Sequence, residues 1–342
     1  MKAGKLIISL TLATGIAGAV TAAAQTTIKL ATVVPENSKW VAVMRKNIVD
    51  IEKRTDDRVK FKLYTGGIQG NSNQVLRKMR IGQINGGAFT SGSLRPFSPD
   101  AEIYGLPMEF RDYQEVNFVR QHLDAELRQR MEDNGYVNFG FAGGGFAYLM
   151  APKPIASLAD MKGIKIWIPE GNDIAANASR ALGISPVTLP LTDVLTGLQT
   201  DLIDTVMGPP VGAIVMQWNT VVKYITDVPI AYVYATLVID KKVFNRLSAG
   251  DQAIVREVMN SVYRGFDEES QAVDKSSMQA LLDDGLKLVP VSQDQQEEWH
   301  EQVSAANRKL ADQGAFDATL LDRMNCYLKA YRAGSDGSQC GH

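Results

Sequence analysis

One stretch of the chain, Leu158–Pro210, alternates short β-branched runs with two short amphipathic segments. β-Branched runs bounded by proline or glycine favour buried strands, and apolar residues at helical spacing favour helices. The predicted elements, in order, are the strand Ile164–Ile168, the helix Ile174–Leu182 capped by Asp173, the strand Pro186–Leu189, a helix from Thr192 or Asp193 to Gln199, and the strand Leu202–Met207. This order predicts a small parallel α/β unit.

The carboxyl ends of these three strands are expected at one edge of the unit. Open α/β sheets bind ligands beyond this edge. The ends carry Trp167–Glu170, Leu189–Thr192 and Met207–Pro210, which are apolar, aromatic and turn-forming residues with few charges. The edge is therefore predicted to be the wall of a pocket that has no catalytic groups.

The first residues have the pattern of an export signal. Lys2 and Lys5 precede the apolar run Leu6–Val20, and small residues follow at Ala22–Ala24. This pattern predicts a cleaved signal peptide over residues 1–24. A retained membrane anchor is the alternative, but the run is short and no basic cluster follows it. No second apolar run of membrane length occurs, so we expect a periplasmic protein without membrane insertion.

The charge of the exported chain is mildly acidic. Without the signal, 34 basic residues remain against 38 acidic ones, a net charge of about −4. This balance argues against nucleic acid or an anionic membrane surface as a partner. The remaining length is enough for about two lobes with sizeable cores.

The two cysteines lie close to the C-terminus. Cys326 and Cys340 flank the Gly/Ser-rich segment Gly334–Gln339. In an oxidising compartment they are expected to form one structural disulfide, since no CxxC redox pair is present. Two free thiols are the alternative.

The rest of the chain also alternates strand and helix patterns. The predicted strands are Thr27–Val33, Val59–Tyr64, Gln83–Thr90, Tyr136–Phe141 and Tyr232–Ile239. One predicted helix begins at Ser38, and the others are Asn73–Ile81, Val116–Asn134, Gln217–Tyr224, Ser248–Leu286 and Gln293–Leu310. Gly143–Gly145 interrupts this order, and two readings remain open for it: a hinge or crossover, or a simple bulge.

The chain lacks the usual signs of catalysis. None of the three histidines stands at metal-ligand spacing from another ligand, and no GxSxG, Walker or Rossmann motif occurs. We therefore expect no metal site and no cofactor. An exported two-lobed α/β chain of this kind is predicted to be a binding protein and not an enzyme.

A set of short motifs extends in order over nearly all of the exported chain. They are Ile28–Ala31, Glu52–Thr55, Gly82–Ile84, Leu106-Pro107, Phe110–Tyr113, Pro154-Ile155, Leu158, Met161–Ile166, Ala181–Gly183, Pro186-Val187, Pro190, Leu198-Gln199, Asp204, Asp240–Val243 and Leu247-Ser248. Each motif is weak alone, but in this order and spacing the set resembles the dicarboxylate-binding (DctP) family of TRAP transporter solute-binding proteins.

The resemblance implies a two-lobed periplasmic binding protein fold with crossing strands and a long connecting helix. It also implies delivery of a small organic solute to the membrane subunits of a TRAP permease. The expected lobes are residues 25–144 plus 233–272 and residues 145–232 plus 273–325, followed by a C-terminal tail, 326–342.

The chain departs from this family at three polar positions. The family usually has an arginine after the Lys-Ile of the central motif, where it binds the ligand carboxylate; this chain has Trp167. A second common arginine is replaced by Ala147, and a Gly-Gln-Glu-Asn-Pro run is replaced by Thr205–Pro209. Because an indole cannot neutralise a carboxylate, a typical C4-dicarboxylate is not the expected ligand.

We expect instead a neutral, aromatic or cationic organic ligand. The predicted ligand-binding residues are Trp167, Phe89, Thr90, Ser91, Glu170, Met207, Trp218, Trp40 and Tyr234. Several of these have a plainer alternative. Trp40 and Trp218 stand at helical spacing, as core residues do, and Glu170, like Asp173, can be a turn or cap residue instead of a negative partner for the ligand.

Three other functions remain open from the sequence. One is a monocarboxylate binder in which Arg95 or Arg111 replaces the missing arginine. The others are a receptor subunit of a sensor kinase and a periplasmic enzyme.

Overall fold

A computed structural model describes residues 25–341, so the predicted signal peptide lies outside the described residues. The described chain is a mixed α/β structure. Its strands are β1 (Thr26–Ala31), β2 (Val59–Tyr64), β3 (Gly86–Thr90), β4 (Tyr136–Asn138), β5 (Ala142–Ala151), β6 (Lys165–Pro169), β7 (Ser185–Leu189), β8 (Val206–Gly208), β9 (Tyr224–Thr226), β10 (Ala231–Asp240) and β11 (Lys287–Val289). Its α-helices are α1 (Lys39–Arg54), α2 (Ser72–Arg80), α3 (Tyr113–Asp133), α4 (Asp173–Ala181), α5 (Val194–Gln199), α6 (Pro210–Val215), α7 (Lys241–Phe244), α8 (Ala249–Asp283), α9 (Gln293–Asp312) and α10 (Ala318–Arg332).

One sheet runs through both lobes. Its order is β11-β9-β5-β10-β3-β1-β2, and β4 and β8 pair with β10 and β5. We call the part around β1–β3 lobe I and the part around β6 and β7 lobe II. β5 and β10 pair with each other, while β10 also pairs with β3 in lobe I and β5 also pairs with β8 and β9 in lobe II. These two crossing strands confirm the expected architecture.

Lobe I has a hydrophobic cluster on each face of its sheet. Leu237 and Ile239 of β10 belong to one cluster, and Val238 between them belongs to the other. Side chains of a strand alternate between the two faces, so the apolar run of β10 is buried on both sides.

The long connecting helix is α8, with 35 residues and a length of about 50 Å. Ser248 caps its first turn by accepting a hydrogen bond from the Asp251 amide. Its N-terminal half buries Val255 and Tyr263 in lobe I, and Leu281 near its end is buried in lobe II. The helix therefore belongs to both cores. The lobe boundaries given above stay a prediction.

The predicted parallel unit is present, with a shorter third strand. β6 and β7 pair in parallel as expected. The segment Leu202–Met207 makes only an isolated bridge to β6, between Thr205 and Ile166, and then leaves as β8, antiparallel to β5. The third strand is short because β8 pairs with β5 of the large sheet and does not join the two-stranded sheet of β6 and β7.

Two local predictions were wrong. The helix α4 is capped by Asn172, whose side chain accepts a hydrogen bond from the Ala175 amide, while Asp173 is already its first residue. Gln217–Tyr224 is not an α-helix. Gln217 takes a left-handed conformation, a single 3-10 turn follows at Trp218–Thr220, and β9 begins at Tyr224.

The glycine run combines both readings that the sequence left open. Gly143–Gly145 lies inside the crossing strand β5, and the pairing register with β10 shifts between Val233 and Tyr234. Gly145 has φ +103°, a conformation that other residues rarely adopt. The run is thus a bulge within a crossover.

The C-terminal segment packs on lobe I. Helix α10, which the sequence analysis did not predict, extends to Arg332, and Leu328 is buried in the same cluster as Leu123 of α3. Residues 326–332 of the expected tail are therefore helical. Cys326 and Cys340 form the predicted disulfide, with their Cα atoms 5.6 Å apart.

Candidate functional site

A cleft of about 500 Å³ lies between the lobes. All nine residues predicted as ligand-binding lie on it. Lobe I contributes Trp40, Phe89, Thr90 and Ser91, lobe II contributes Trp167, Glu170, Met207 and Trp218, and the crossing strand β10 contributes Tyr234. The structure therefore brings the nine together, whereas their contact with a ligand stays a prediction.

The lobe II wall is built from a pair of tryptophans. The rings of Trp167 and Trp218 meet edge to face, with centroids 5.3 Å apart. The Trp167 indole Nε1 donates a hydrogen bond to the Leu189 carbonyl over 2.9 Å. Gly208 makes room for Trp218, because a Cβ at Gly208 would lie 2.7 Å from Cζ3 of that ring. The Met-Gly departure from the family pattern thus serves the packing of an aromatic wall.

Two stacked and almost fully buried tyrosines of β10 border the cleft. The rings of Tyr232 and Tyr234 are nearly parallel, with centroids 5.8 Å apart. The Tyr234 hydroxyl donates to the Ala101 carbonyl, and the Tyr232 hydroxyl accepts from Arg120 Nη1 over 3.4 Å. Burial raises the pKa of both phenols, so they are neutral at physiological pH.

Three charged side chains line the cleft within residues 25–341: Lys39, Glu170 and Glu269. Lys39 Nζ lies 2.6 Å from Glu269 Oε2. Glu170 Oε2 accepts a hydrogen bond from Asn71 Nδ2 over 2.8 Å. In the described part of the chain, no arginine lines the cleft.

Of the two arginines considered as replacements, Arg95 binds other partners. Arg95 donates from Nη1 to the Ala315 carbonyl over 3.1 Å, and its Nε lies 3.4 Å from Glu102 Oε2. Neither Arg95 nor Arg111 lines the cleft, and Asp173 does not line it either. Residues 25–341 also contain no group of three side chains suited to hold a metal ion.

The lobes touch along the edge of the cleft. Asn71 caps α2 with its Oδ1 and uses its Nδ2 to reach Glu170 in lobe II. Gly92 lies against the cap of α4, since a Cβ there would be 2.4 Å from Asn172 Nδ2. These contacts between the lobes were not predicted, although asparagine before an amphipathic helix is a cap signal in both lobes.

Two carboxylates of α8 bind the backbone of the glycine run. Asp267 Oδ1 accepts from the Gly143 amide over 2.9 Å, and Asp274 Oδ2 accepts from the Phe146 amide over 3.3 Å and from the Tyr113 hydroxyl over 2.9 Å. Burial raises the pKa of Asp274. Asp267 and Asp274 are seven residues apart, or about two helical turns, and this spacing could have indicated that they lie on the same face of α8.

None of the described helices combines the length and apolar character needed to cross a membrane.

Known proteins of one family resemble this chain over most of its length. Residues 30–313 match the family described as "Bacterial extracellular solute-binding protein, family 7" (DctP). The C4-dicarboxylate-binding periplasmic protein DctP of Rhodobacter capsulatus is 22% identical over 267 residues, which cover 76% of this chain and 79% of that protein. A solute-binding protein of Verminephrobacter eiseniae is 26% identical over 234 residues, covering 68% and 70%.

Solved structures agree with the fold. A TRAP periplasmic solute-binding protein of Haemophilus influenzae, with bound L-gulonate, has a TM-score of 0.81 at 21% identity and covers 89% of this chain and 100% of that chain. A TRAP solute-binding protein of Shewanella oneidensis, with bound succinate, gives the same TM-score, identity and coverage. Together with the family match over most of the chain, these likenesses establish that this protein belongs to the bacterial extracellular solute-binding proteins of family 7.

Proposed function

We propose that this protein is exported to the periplasm, captures a small organic solute by closing its two lobes, and delivers the solute to a TRAP permease without transforming it. The observation that carries the proposal is the cleft between lobes joined by the crossing strands and α8. Strands and a helix that pass between two lobes are suited to hinge closure. The glycine run in β5 supplies backbone freedom at the crossing point.

The solute is not an ordinary C4-dicarboxylate. Carboxylates in closed sites require a cation or several hydrogen-bond donors, because an unpaired buried anion costs several kcal/mol. Trp167 occupies the position of the usual arginine, and its indole N–H is already bonded to Leu189. Lys39, the one lysine that lines the cleft in the described part of the chain, is paired with Glu269. These contacts support a neutral, aromatic or cationic solute, and they give no support to a relocated arginine.

The first experiment is a thermal-shift screen of the exported form against dicarboxylates, sugar acids, aromatic compounds, neutral polyols and amines. A ligand at 100 times its Kd adds about 2.7 kcal/mol to the free energy of unfolding, a readable shift. We expect non-acidic compounds to raise the melting temperature. Stabilisation by dicarboxylates or sugar acids alone would contradict the ligand class while leaving solute capture intact.

Two variants of Trp167 sharpen the result. Trp167→Arg restores the family's cation and removes the aromatic wall, so it should abolish stabilisation by the non-acidic ligand. Trp167→Phe is the matched control, because it keeps an aromatic ring beside Trp218 without adding a charge, and loses the hydrogen bond to Leu189 and part of the ring area. Unchanged ligand stabilisation in Trp167→Arg would show that this wall does not contact the solute.

A further inference from the structure

We infer that the solute is an amphipathic organic cation, with an apolar body against the aromatic walls and a protonated amine at Glu170. The inference rests on the proposed function and specifies its ligand. It is carried by three features of the cleft: its aromatic surface, its size and its charges.

The aromatic residues that border the cleft are almost fully buried and offer it few polar atoms: Trp167 is 4% exposed, Trp218 2%, Tyr232 1% and Tyr234 0%. The polar atoms of Trp167, Tyr234 and Tyr232 are hydrogen-bonded to Leu189, Ala101 and Arg120. The Trp218 Nε1 atom is fully buried, so it presents no accessible donor. Aromatic side chains in this arrangement bind an apolar body by area and ring contact.

Small residues of β5 line part of the cleft. Ala142, Gly143, Gly144 and Ala147 present only backbone and methyl groups to it. A volume of about 500 Å³ is typical of sites for drug-sized ligands. A four-carbon diacid would leave much of this apolar surface without contact. The dimensions therefore favour a larger, mainly apolar molecule.

The charges of the cleft select a cation. Lys39 and Glu269 neutralise each other over 2.6 Å, whereas Glu170 receives one hydrogen bond, from Asn71, and forms no ion pair within the described residues. An ionised carboxylate has about four acceptor positions, so Glu170 retains capacity for an ammonium group. Nearby aromatic rings also favour a cation over an anion. The cleft thus carries one uncompensated negative charge.

The test uses three compounds that share one apolar body: naphthylethylamine, naphthylethanol and naphthylacetate. Isothermal titration calorimetry on the exported form measures each Kd. We expect the amine to bind roughly ten-fold or more tightly than the alcohol, as a charged hydrogen bond requires, and the acid to bind most weakly. In Glu170→Gln, which keeps an acceptor for Asn71, the amine should lose this advantage while the alcohol changes less than about two-fold.

Glu298→Gln is the matched control, since it removes an exposed carboxylate of α9 that does not line the cleft. It should leave the preference for the amine within about three-fold of the wild-type value. Tightest binding by the acid, an equal loss of all three compounds in Glu170→Gln, or stabilisation by organic acids and no amine in the wider screen would each overturn the cation. The proposed capture of a solute would survive those outcomes and would fail only if no class of compound stabilised the protein.

Discussion

At the scale of single residues, the cleft is formed by aromatic side chains that also hold the protein together. Tyr234 is fully buried, and its hydroxyl links the crossing strand β10 to Ala101, in a 3-10 helix of lobe I. Tyr234 borders the cleft but presents no exposed surface to it. Substitution of its hydroxyl should therefore affect stability much more than solute binding.

Tyr234→Phe should lower the free energy of unfolding by about 1–3 kcal/mol, because the Ala101 carbonyl loses its side-chain donor in a buried site. Solute affinity should change less than about two-fold, since the ring remains. Urea unfolding and titration of a stabilising solute check the two effects. Tyr232→Phe is the matched control, because that hydroxyl receives only a long hydrogen bond of 3.4 Å. An equal loss in both variants would contradict the role of the Ala101 contact.

Glu102 makes stability depend on pH. Burial raises its pKa from 4.5 to about 7, although nearby Arg95 opposes the rise. Because the folded state holds this proton more tightly than the unfolded state, the group's contribution to stability falls as pH rises from about 4.5 to 7. The free energy of unfolding of Glu102→Gln, relative to that of the wild type, should therefore be about 3 kcal/mol higher at pH 8 than at pH 4. Urea unfolding at both pH values measures this difference, and a difference that stays constant would contradict the shifted pKa.

Sequence predicted the location of single residues best where a motif or a strand end fixes their place in the fold. Trp167 was placed on the cleft by its position in a motif, and Ser91 by its place at a strand end. The hydrogen bond between Asn71 and Glu170 joins residues 99 positions apart. Sequence periodicity reports only neighbours along the chain, so this contact could not be predicted.

At the scale of elements, the crossing strand β5 and the helix α8 are fixed to each other. Asp267 and Asp274 hold the amides of Gly143 and Phe146 on either side of the bulge. This approach is close: a Cβ at Gly145 would lie 2.5 Å from Asp274 Oδ1. Glycine is required there both by its positive φ and by the neighbouring carboxylate.

Gly145→Ala should destabilise the protein by about 1–2 kcal/mol from backbone strain and by a further 1–3 kcal/mol or so from the clash with Asp274. Gly285→Ala is the matched control, because Gly285 has φ +99° and no atom within 4 Å of its added Cβ. It should show the first loss without the second. Urea unfolding measures both variants, and equal losses would mean that β5 and α8 separate without cost.

Elements with their own end signals were predictable, and those fixed by distant partners were not. The helices α1 and α8 begin after Ser38 and Ser248, which cap them as serine at these positions predicts. Gln217–Tyr224 has apolar residues at helical spacing, yet Gln217 is left-handed and Tyr224 begins β9, which pairs with β11. Tertiary pairing outweighed local periodicity there.

At the scale of the whole molecule, closure depends on contacts between lobes as well as on the solute, and Asn71→Asp tests this. Aspartate still caps α2 but places a second carboxylate opposite Glu170, a repulsion of about 4 kcal/mol at close range. We expect a larger radius of gyration by small-angle X-ray scattering of the protein without solute, because this repulsion keeps the lobes apart. Asn71→Ser, which caps the helix without charge, should stay near wild type. A wild-type radius in Asn71→Asp would show that this hydrogen bond does not hold the lobes together.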